Sequence, residues 1–374
     1  MLQLLIGLVL HGVLILVVFF AILTVIVVIH ELGHFLVARL FGVRVEEFGF
    51  GLPPRALGKK IGKTIYSINW LPFGGFVRLA GEDEDEGRIA KGYKRSEYFW
   101  AKNKLQKTAV LLAGVTMNFI LAVGVSTYLL TQGVYETSGR VHIQTVVAGG
   151  PAAKAGIEKG DIIQRVSYLV NGVQKTQDIK TPNQLVLLIR SEEGERVTMT
   201  IDRSGKILPI TMVPRKTFPK GEGPTGIAIS DLELKKYSLS QAPQAAFNEN
   251  VSLIGDLFSG IRSLFQRISE RQPVGNDVVG PIGIADIVGK TIQFGFNAEL
   301  NILGYLSLSL AVLNLLPFPG LDGGRILFVF LQKLLGKRLK PAFERSTHQI
   351  GFIILIILVA IISYNDILRL ARGG

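Results

Sequence analysis

The chain has 374 residues, no cysteine, a formal net charge of +12 and 48% hydrophobic residues, enough for a membrane portion plus at least one soluble domain. Without cysteine there is no disulfide framework and no thiolate metal site, so any metal must be held by His, Asp or Glu. The basic residues are spread along the chain and dense beside apolar runs, as in cytoplasmic loops of membrane proteins, and without aromatic interleaving they do not make a nucleic-acid patch.

Residues 1–41 are expected to hold the first transmembrane helix, from about Val13 to about Leu40. The apolar run has no Lys or Arg ahead of it and no small-residue cleavage site behind it, so it is read as a retained span rather than a signal peptide. No residue from Leu14 to Ile29 is charged, and the run continues directly into His30-Glu31-Leu32-Gly33-His34. Two histidines four apart lie one above the other on one helix face, so both imidazoles can reach one ion. Glu31 can then reach a water on that ion, which is the H-E-x-x-H pattern of zinc hydrolases. Ionisable groups at membrane depth are costly and usually functional. The competing reading is a histidine pair packed inside a helix bundle.

Residues 42–104 are polar, Gly-rich and basic, and end at Gly42 the helix before them. Thr64 to Ile68 is expected to be a strand, and Trp70 to Val77 a turn leading into a second one. A hairpin this apolar either dips toward the metal, where protein or a water-filled cavity must cover its backbone, or packs on its own loop at the surface. Glu82 to Glu86 is an acidic, solvated run. Residues 105–131 form the second transmembrane helix, with Gly114 and Asn118 at a spacing that lets helices approach and bond.

From 135 to 230 the pattern changes to short alternating strands with Gly turns. Strands are expected at Val141–Val147, Ile162–Val166, Arg196–Asp202 and Ile207–Val213, and a helix at Thr181–Arg190 with Thr181 as cap. Gly149 to Ile157 followed by Gly160-Asp161-Ile162-Ile163 resembles the start of a bacterial PDZ domain, with Gly226 to Ile229 as its last strand. Such α+β domains bind peptides or protein ends by strand addition. Residues 240–290 hold an amphipathic helix with Phe247, Val251, Ile254, Phe258, Ile261, Phe265 and Ile268 on one seam. A Gly/Pro-rich linker follows, from Arg271 to Asp286. The third transmembrane helix is expected within 298–324 and the fourth within 348–366. The stretch between them carries Arg325, Lys333, Lys337, Arg338, Lys340 and Arg345 against one acid, Glu344. It is placed in the cytoplasm, which puts 41–104 on the same side and the 135–230 domain on the other.

Two histidines leave a catalytic zinc one protein ligand short. The candidate third ligand is Asp322, in Asn314-Leu315-Leu316-Pro317-Phe318-Pro319-Gly320-Leu321-Asp322-Gly323-Gly324. The two prolines break the helix, and the glycines allow a tight unwound backbone. His348 is a rival ligand beside charged residues, whereas His11 and His142 are expected on the opposite side and carry no assigned role.

Taken together, HELGH in the first span, N-x-x-P-x-P-x-L-D-G-G in the third and a PDZ domain between the second and third resemble the site-2 protease family of intramembrane zinc metalloproteases. The best fit is its bacterial RseP-like branch, which cleaves anti-sigma factors. The resemblance also includes Gly280 to Ala285 and Tyr364-Asn365-Asp366. It implies a polytopic α-helical membrane protein of four transmembrane helices with a membrane-reentrant β-hairpin and one inserted PDZ domain. It further implies Zn2+ on His30, His34 and Asp322, Glu31 as the catalytic base, and substrate bound along Gly74, Gly75, Phe76 and Val77 and by Asn314. Expected partners are single-span membrane protein substrates, PDZ-bound peptide or protein ends and the lipid bilayer, with no nucleic acid. The expected location is the bacterial inner membrane, with the PDZ domain extracytoplasmic and the active site near the cytoplasmic side. The chain departs from the family pattern in having a single PDZ domain, Val115 where proline is frequent and Arg325 where several relatives carry histidine. The alternatives are a zinc transporter and a membrane PDZ scaffold, both without proteolysis.

Overall fold

A computed structural model describes residues 2–82, 89–270, 272, 279–335 and 341–372. The chain divides into two compact units, Met1–Thr131 with Ser238–Gly374, and Gln132–Tyr237.

The first unit is a bundle of helices with a small sheet. Its helices are α1 (Leu2–Leu40), α2 (Lys104–Gln132), α5 (Ala242–Ser269), α6 (Pro281–Thr291), α7 (Phe296–Leu315), α8 (Asp322–Leu335) and α9 (Pro341–Ala371). The segments Val9–Leu40, Lys104–Gln132, Phe296–Leu315 and Ala342–Ala371 are long and apolar enough to cross a membrane. A helix satisfies every backbone polar group internally, which is what hydrocarbon demands. Apolar side chains of α9 such as Phe352, Ile354, Ile357 and Ile361 accordingly stay exposed, where lipid rather than protein would cover them. The helix ends follow local chemistry. Gly42 at φ +66° stops α1, with the Val43 N–H bonded to the Ala38 carbonyl. Asn103 and Gln106 cap the start of α2 reciprocally, side chain to backbone, at 2.9 and 3.2 Å.

Inside the bundle, Phe19, Ile22 and Ile26 of α1 pack with Val288 of α6 and Leu303 of α7. Gly304 lets α7 approach α2, since a methyl group there would lie 3.1 Å from Val125. The Ser307 hydroxyl donates to the Asn118 carbonyl at 2.9 Å, a bond from α7 to the centre of α2.

The sheet pairs β1 (Val45–Ile61) with β2 (Thr64–Leu79). Glu47 to Phe50 finds partners in both Ile65–Ile68 and Gly75–Arg78, so the two long strands fold over each other instead of forming one simple ladder. Buried Glu47 holds the layers together, accepting from Arg55 at 2.9 and 2.6 Å and from Arg78 at 2.9 Å.

The second unit is a six-stranded antiparallel sheet with spatial order β7-β6-β4-β3-β8 and β5 paired to β4. The strands are β3 (Val134–Val146), β4 (Ile162–Val170), β5 (Val173–Asp178), β6 (Val197–Arg203), β7 (Lys206–Met212) and β8 (Ile227–Lys235). Two helices, α3 (Pro151–Lys154) and α4 (Pro182–Ser191), complete it. Val141, Ile163, Val166, Val197, Met199 and Ile201 form its core with Leu185 and Ile189 of α4. Thr181 and Gln184 cap α4 reciprocally, and Pro182 occupies its first turn.

Several elements depart from the sequence-based expectation. The stretch from Asp322 onward, expected as unwound backbone and a basic connection between the third and fourth spans, is helix α8, and Pro281–Thr291, half of which was read as linker, is helix α6. The spans are longer than expected, with α1 beginning at Leu2 and α9 running from Pro341 to Ala371. Strand β1 was not anticipated. Most of the acidic run after Glu82, most of the linker before Val279 and the basic residues Lys337, Arg338 and Lys340 lie outside the described residues.

Candidate metal centre

Two turns of α1 and the first residue of α8 meet at one point. The Nε2 atoms of His30 and His34 are 3.1 Å apart, and both side chains are buried. Asp322 Oδ2 lies 3.1 Å from His30 Nε2 and 3.4 Å from His34 Nε2. Nitrogen and oxygen ligands at about 2.0–2.1 Å from a tetrahedral ion stand roughly 3.4 Å from one another, so this spacing is that of three corners of a zinc site. Asp322 Oδ2 is buried and has no hydrogen bond that satisfies it, although both imidazoles face it. A buried carboxylate oxygen in that position calls for a cation. The donor set of two imidazoles and one carboxylate suits zinc with an open fourth position.

The chain delivers Asp322 by breaking a helix. Pro317 and Pro319 lack backbone N–H groups and end α7. Gly320 at φ +98° reverses the backbone, and its N–H donates to His348 Nδ1 at 2.9 Å. Gly323 and Gly324 press against the carbonyls of Leu315, Leu316 and Phe318, where a Cβ would clash with main chain. His348, the rival ligand, thus supports the loop that carries Asp322 and does not join the three donors.

Helix α2 forms the wall behind the imidazoles. A Cβ at Gly114 would lie 2.5 Å from His34 Nε2 and 2.6 to 2.7 Å from His30 Cε1 and Nε2. Glycine is therefore the residue that fits. The adjacent turn is as tight, because Gly33 abuts the Ala113 carbonyl and Met117. His34 Nδ1 donates to the Val110 carbonyl at 2.8 Å, which leaves Nε2 free to ligate. Asn118 lies 3.5 Å from His30 Nδ1 through its Nδ2 atom.

Glu31 is held from the opposite side. Its Oε2 accepts the Val77 N–H of β2 at 3.0 Å. Gly75 brings the strand close to α1, as a Cβ there would lie 3.4 Å from Val28 and 3.9 Å from Glu31 Cγ. Gly74 takes φ +77°, and the Phe76 ring covers Gly49. The stretch Gly74–Val77 therefore runs beside Glu31. Asn314 is half-buried in the last turn of α7, and its side chain makes no hydrogen bond among the described residues.

The profile of Peptidase family M50 matches residues 18–358. The chain belongs to Peptidase family M50. A putative zinc metalloprotease of Clostridium perfringens is 33% identical over 91% of this chain and 95% of its own length. One from Fusobacterium nucleatum is 32% identical over 93% and 97%, and the zinc metalloprotease RasP of Oceanobacillus iheyensis 26% over 92% and 97%. The chain is a membrane zinc metallopeptidase of the site-2 protease type, and within this M50 protein the three convergent donors are the place where zinc fits.

Three contributors to the centre were not assigned from the sequence. The Val110 carbonyl and the Val77 N–H are backbone groups that any residue would present. Gly114 was visible in its G-x-x-x-N spacing, but only the fold shows that the space it leaves is filled by imidazole.

Proposed function

We propose that this M50 protein is an intramembrane endopeptidase that cuts transmembrane segments of single-span membrane proteins, such as anti-sigma factors or signal-peptide remnants. The observation that carries the reading is the convergence of part-buried Asp322 on His30 and His34, both buried in a helix long enough to span a bilayer. His30, His34 and Asp322 hold the metal. A zinc ion bound there supplies Lewis-acid polarisation of a carbonyl and lowers the pKa of a water toward neutrality. Glu31 moves the proton. Val77 N–H occupies its Oε2, so Oε1 is the oxygen that takes a proton from the attacking water and returns it to the leaving amine.

A helical substrate hides its carbonyls in i to i−4 bonds and must unwind before attack. Gly74, Gly75, Phe76 and Val77 then receive the unwound segment as an added strand, in a sheet that reaches into the membrane beside α1. Asn314 hydrogen-bonds the same segment. The unit Gln132–Tyr237 serves as a PDZ domain that captures peptide or protein ends. It lies on the extracytoplasmic side of a bacterial inner membrane, opposite the basic stretch after α7.

Reconstitution tests this. Purified wild type in liposomes is expected to cut a single-span substrate within its apolar segment and to stop on addition of a chelator. Zinc flux across the liposome with no cleavage of any single-span substrate would contradict the proposal.

A further inference from the structure

Asn118 has a role that packing does not explain. Its side chain is fully buried in the middle of α2. Its Nδ2 faces His30 Nδ1 at 3.5 Å, while its Oδ1 is buried with no hydrogen-bond partner. An unpaired buried carbonyl is destabilising, so this residue is an expensive way to fill space. The other ligand histidine shows what such a position requires. His34 donates its Nδ1–H to the Val110 carbonyl, which fixes the ring with Nε2 toward the metal. Once His30 also ligates through Nε2, its Nδ1 must carry the proton and needs an acceptor. Among the described residues, the Asn118 amide is the group hydrogen-bonded at that nitrogen. Half a turn about the Cβ–Cγ bond exchanges Nδ2 for Oδ1, giving His30 its acceptor and the orphaned oxygen its donor.

We infer that Asn118 is a positioning residue for the metal centre, its Oδ1 accepting from His30 Nδ1–H in the zinc-loaded enzyme and so fixing that ring's tautomer and orientation. The inference rests on the reading of His30, His34 and Asp322 as the ligands. Helix α2 then serves both imidazoles, one through the Val110 backbone and one through a side chain two turns further on. The Ser307 hydroxyl on the Asn118 carbonyl anchors that turn to α7, the helix that leads to Asp322.

The test is zinc affinity, measured by competition with a chromophoric chelator on the full chain, alongside the thermal midpoint of the zinc-free protein. Asn118→Leu keeps the volume and removes the acceptor. It is expected to weaken zinc binding about 10- to 100-fold without lowering the zinc-free midpoint. Asn118→Asp keeps an acceptor oxygen and is expected to stay within about threefold of wild type, since a carboxylate serves the same second position on a ligand histidine. Unchanged affinity in the Leu variant, or equal losses in both variants, overturns the inference. His30→Ala is the control: if it binds zinc as tightly as wild type, the ligand assignment fails, a result distinct from failure of Asn118 alone.

Discussion

A methyl group at position 114 would meet three imidazole atoms at 2.5 to 2.7 Å, and those atoms cannot yield without leaving the positions from which they would hold zinc. Gly114→Ala is therefore expected to weaken zinc binding at least tenfold, a loss of about 1.4 kcal/mol or more, while the apolar helices still form. Zinc content after dialysis checks it, and wild-type retention would contradict the packing. Glu31 is the complementary case, since in the proposed mechanism its carboxylate moves protons, and it is not among the three convergent donors. Glu31→Gln should lower cleavage about 10²- to 10⁴-fold with zinc still bound, measured on the same reconstituted sample. At this scale the sequence was informative where side chains carry the chemistry. The four-residue spacing of His30 and His34, with Glu31 between them, and a lone aspartate between helix-breaking residues pointed to the groups that the fold brings within 3.4 Å. It was silent on Val110 and Val77, whose contributions are a carbonyl and an N–H.

Elements were legible when their pattern was periodic and obscure when glycine interrupted it. The four long apolar helices and the seam of α5 stood out by hydropathy and spacing. The first half of helix α6 looked like linker because Gly280, Pro281 and Gly283 punctuate it, yet the glycines of this stretch mark close contact. A Cβ at Gly289 would lie 2.9 Å from Ile15, and one at Gly283 would lie 2.9 Å from Asp366. The α6 N-terminus is capped across 83 to 86 residues of chain, with Asp366 Oδ2 accepting from Gly280 and Gly283 N–H at 3.0 and 2.9 Å. No local sequence rule finds such a cap. Asp366→Ala leaves two buried amides unpaired and is expected to cost about 1–3 kcal/mol per lost bond, with Asp366→Asn losing less. The unfolding midpoint of the detergent-solubilised chain reads this, and an unchanged midpoint in the Ala variant would contradict it. Strand β1 was hidden for a different reason. Its inward–outward alternation lasts only from Val45 to Gly51, and beyond that every residue to Ile61 is exposed.

The whole molecule is two folding problems in one chain. The first unit carries helices long and apolar enough to cross a membrane, whereas Gln132–Tyr237 has its own core and an ion pair on buried Asp161. Burial pushes the Asp161 carboxyl up, but Arg203 at 2.7 and 2.8 Å and the Glu158 N–H at 2.8 Å outweigh it and hold it below the usual carboxylate range. A carboxyl depressed in the folded state adds stability above its unfolded pKa of about 3.9, which is lost as pH falls through the lower folded value. Amide protection in 132–237, taken relative to the intrinsic exchange rate at each pH, is therefore expected to hold from neutral pH to about 4 and to fall below it. Arg203→Leu, which leaves a buried carboxylate without its cation, should lower that protection at neutral pH and shrink its fall below pH 4, and wild-type protection at neutral pH would contradict the ion pair's role.

The central claim is that three residues from opposite ends of the chain hold one zinc ion. Metal analysis of the purified membrane protein tests it most directly, comparing wild type with His30→Ala, His34→Ala, Asp322→Ala and Glu31→Gln. One zinc per chain is expected in wild type and in Glu31→Gln, and little in each of the other three. Full zinc occupancy in Asp322→Ala, or loss of zinc in Glu31→Gln with the ligand variants still loaded, would contradict it.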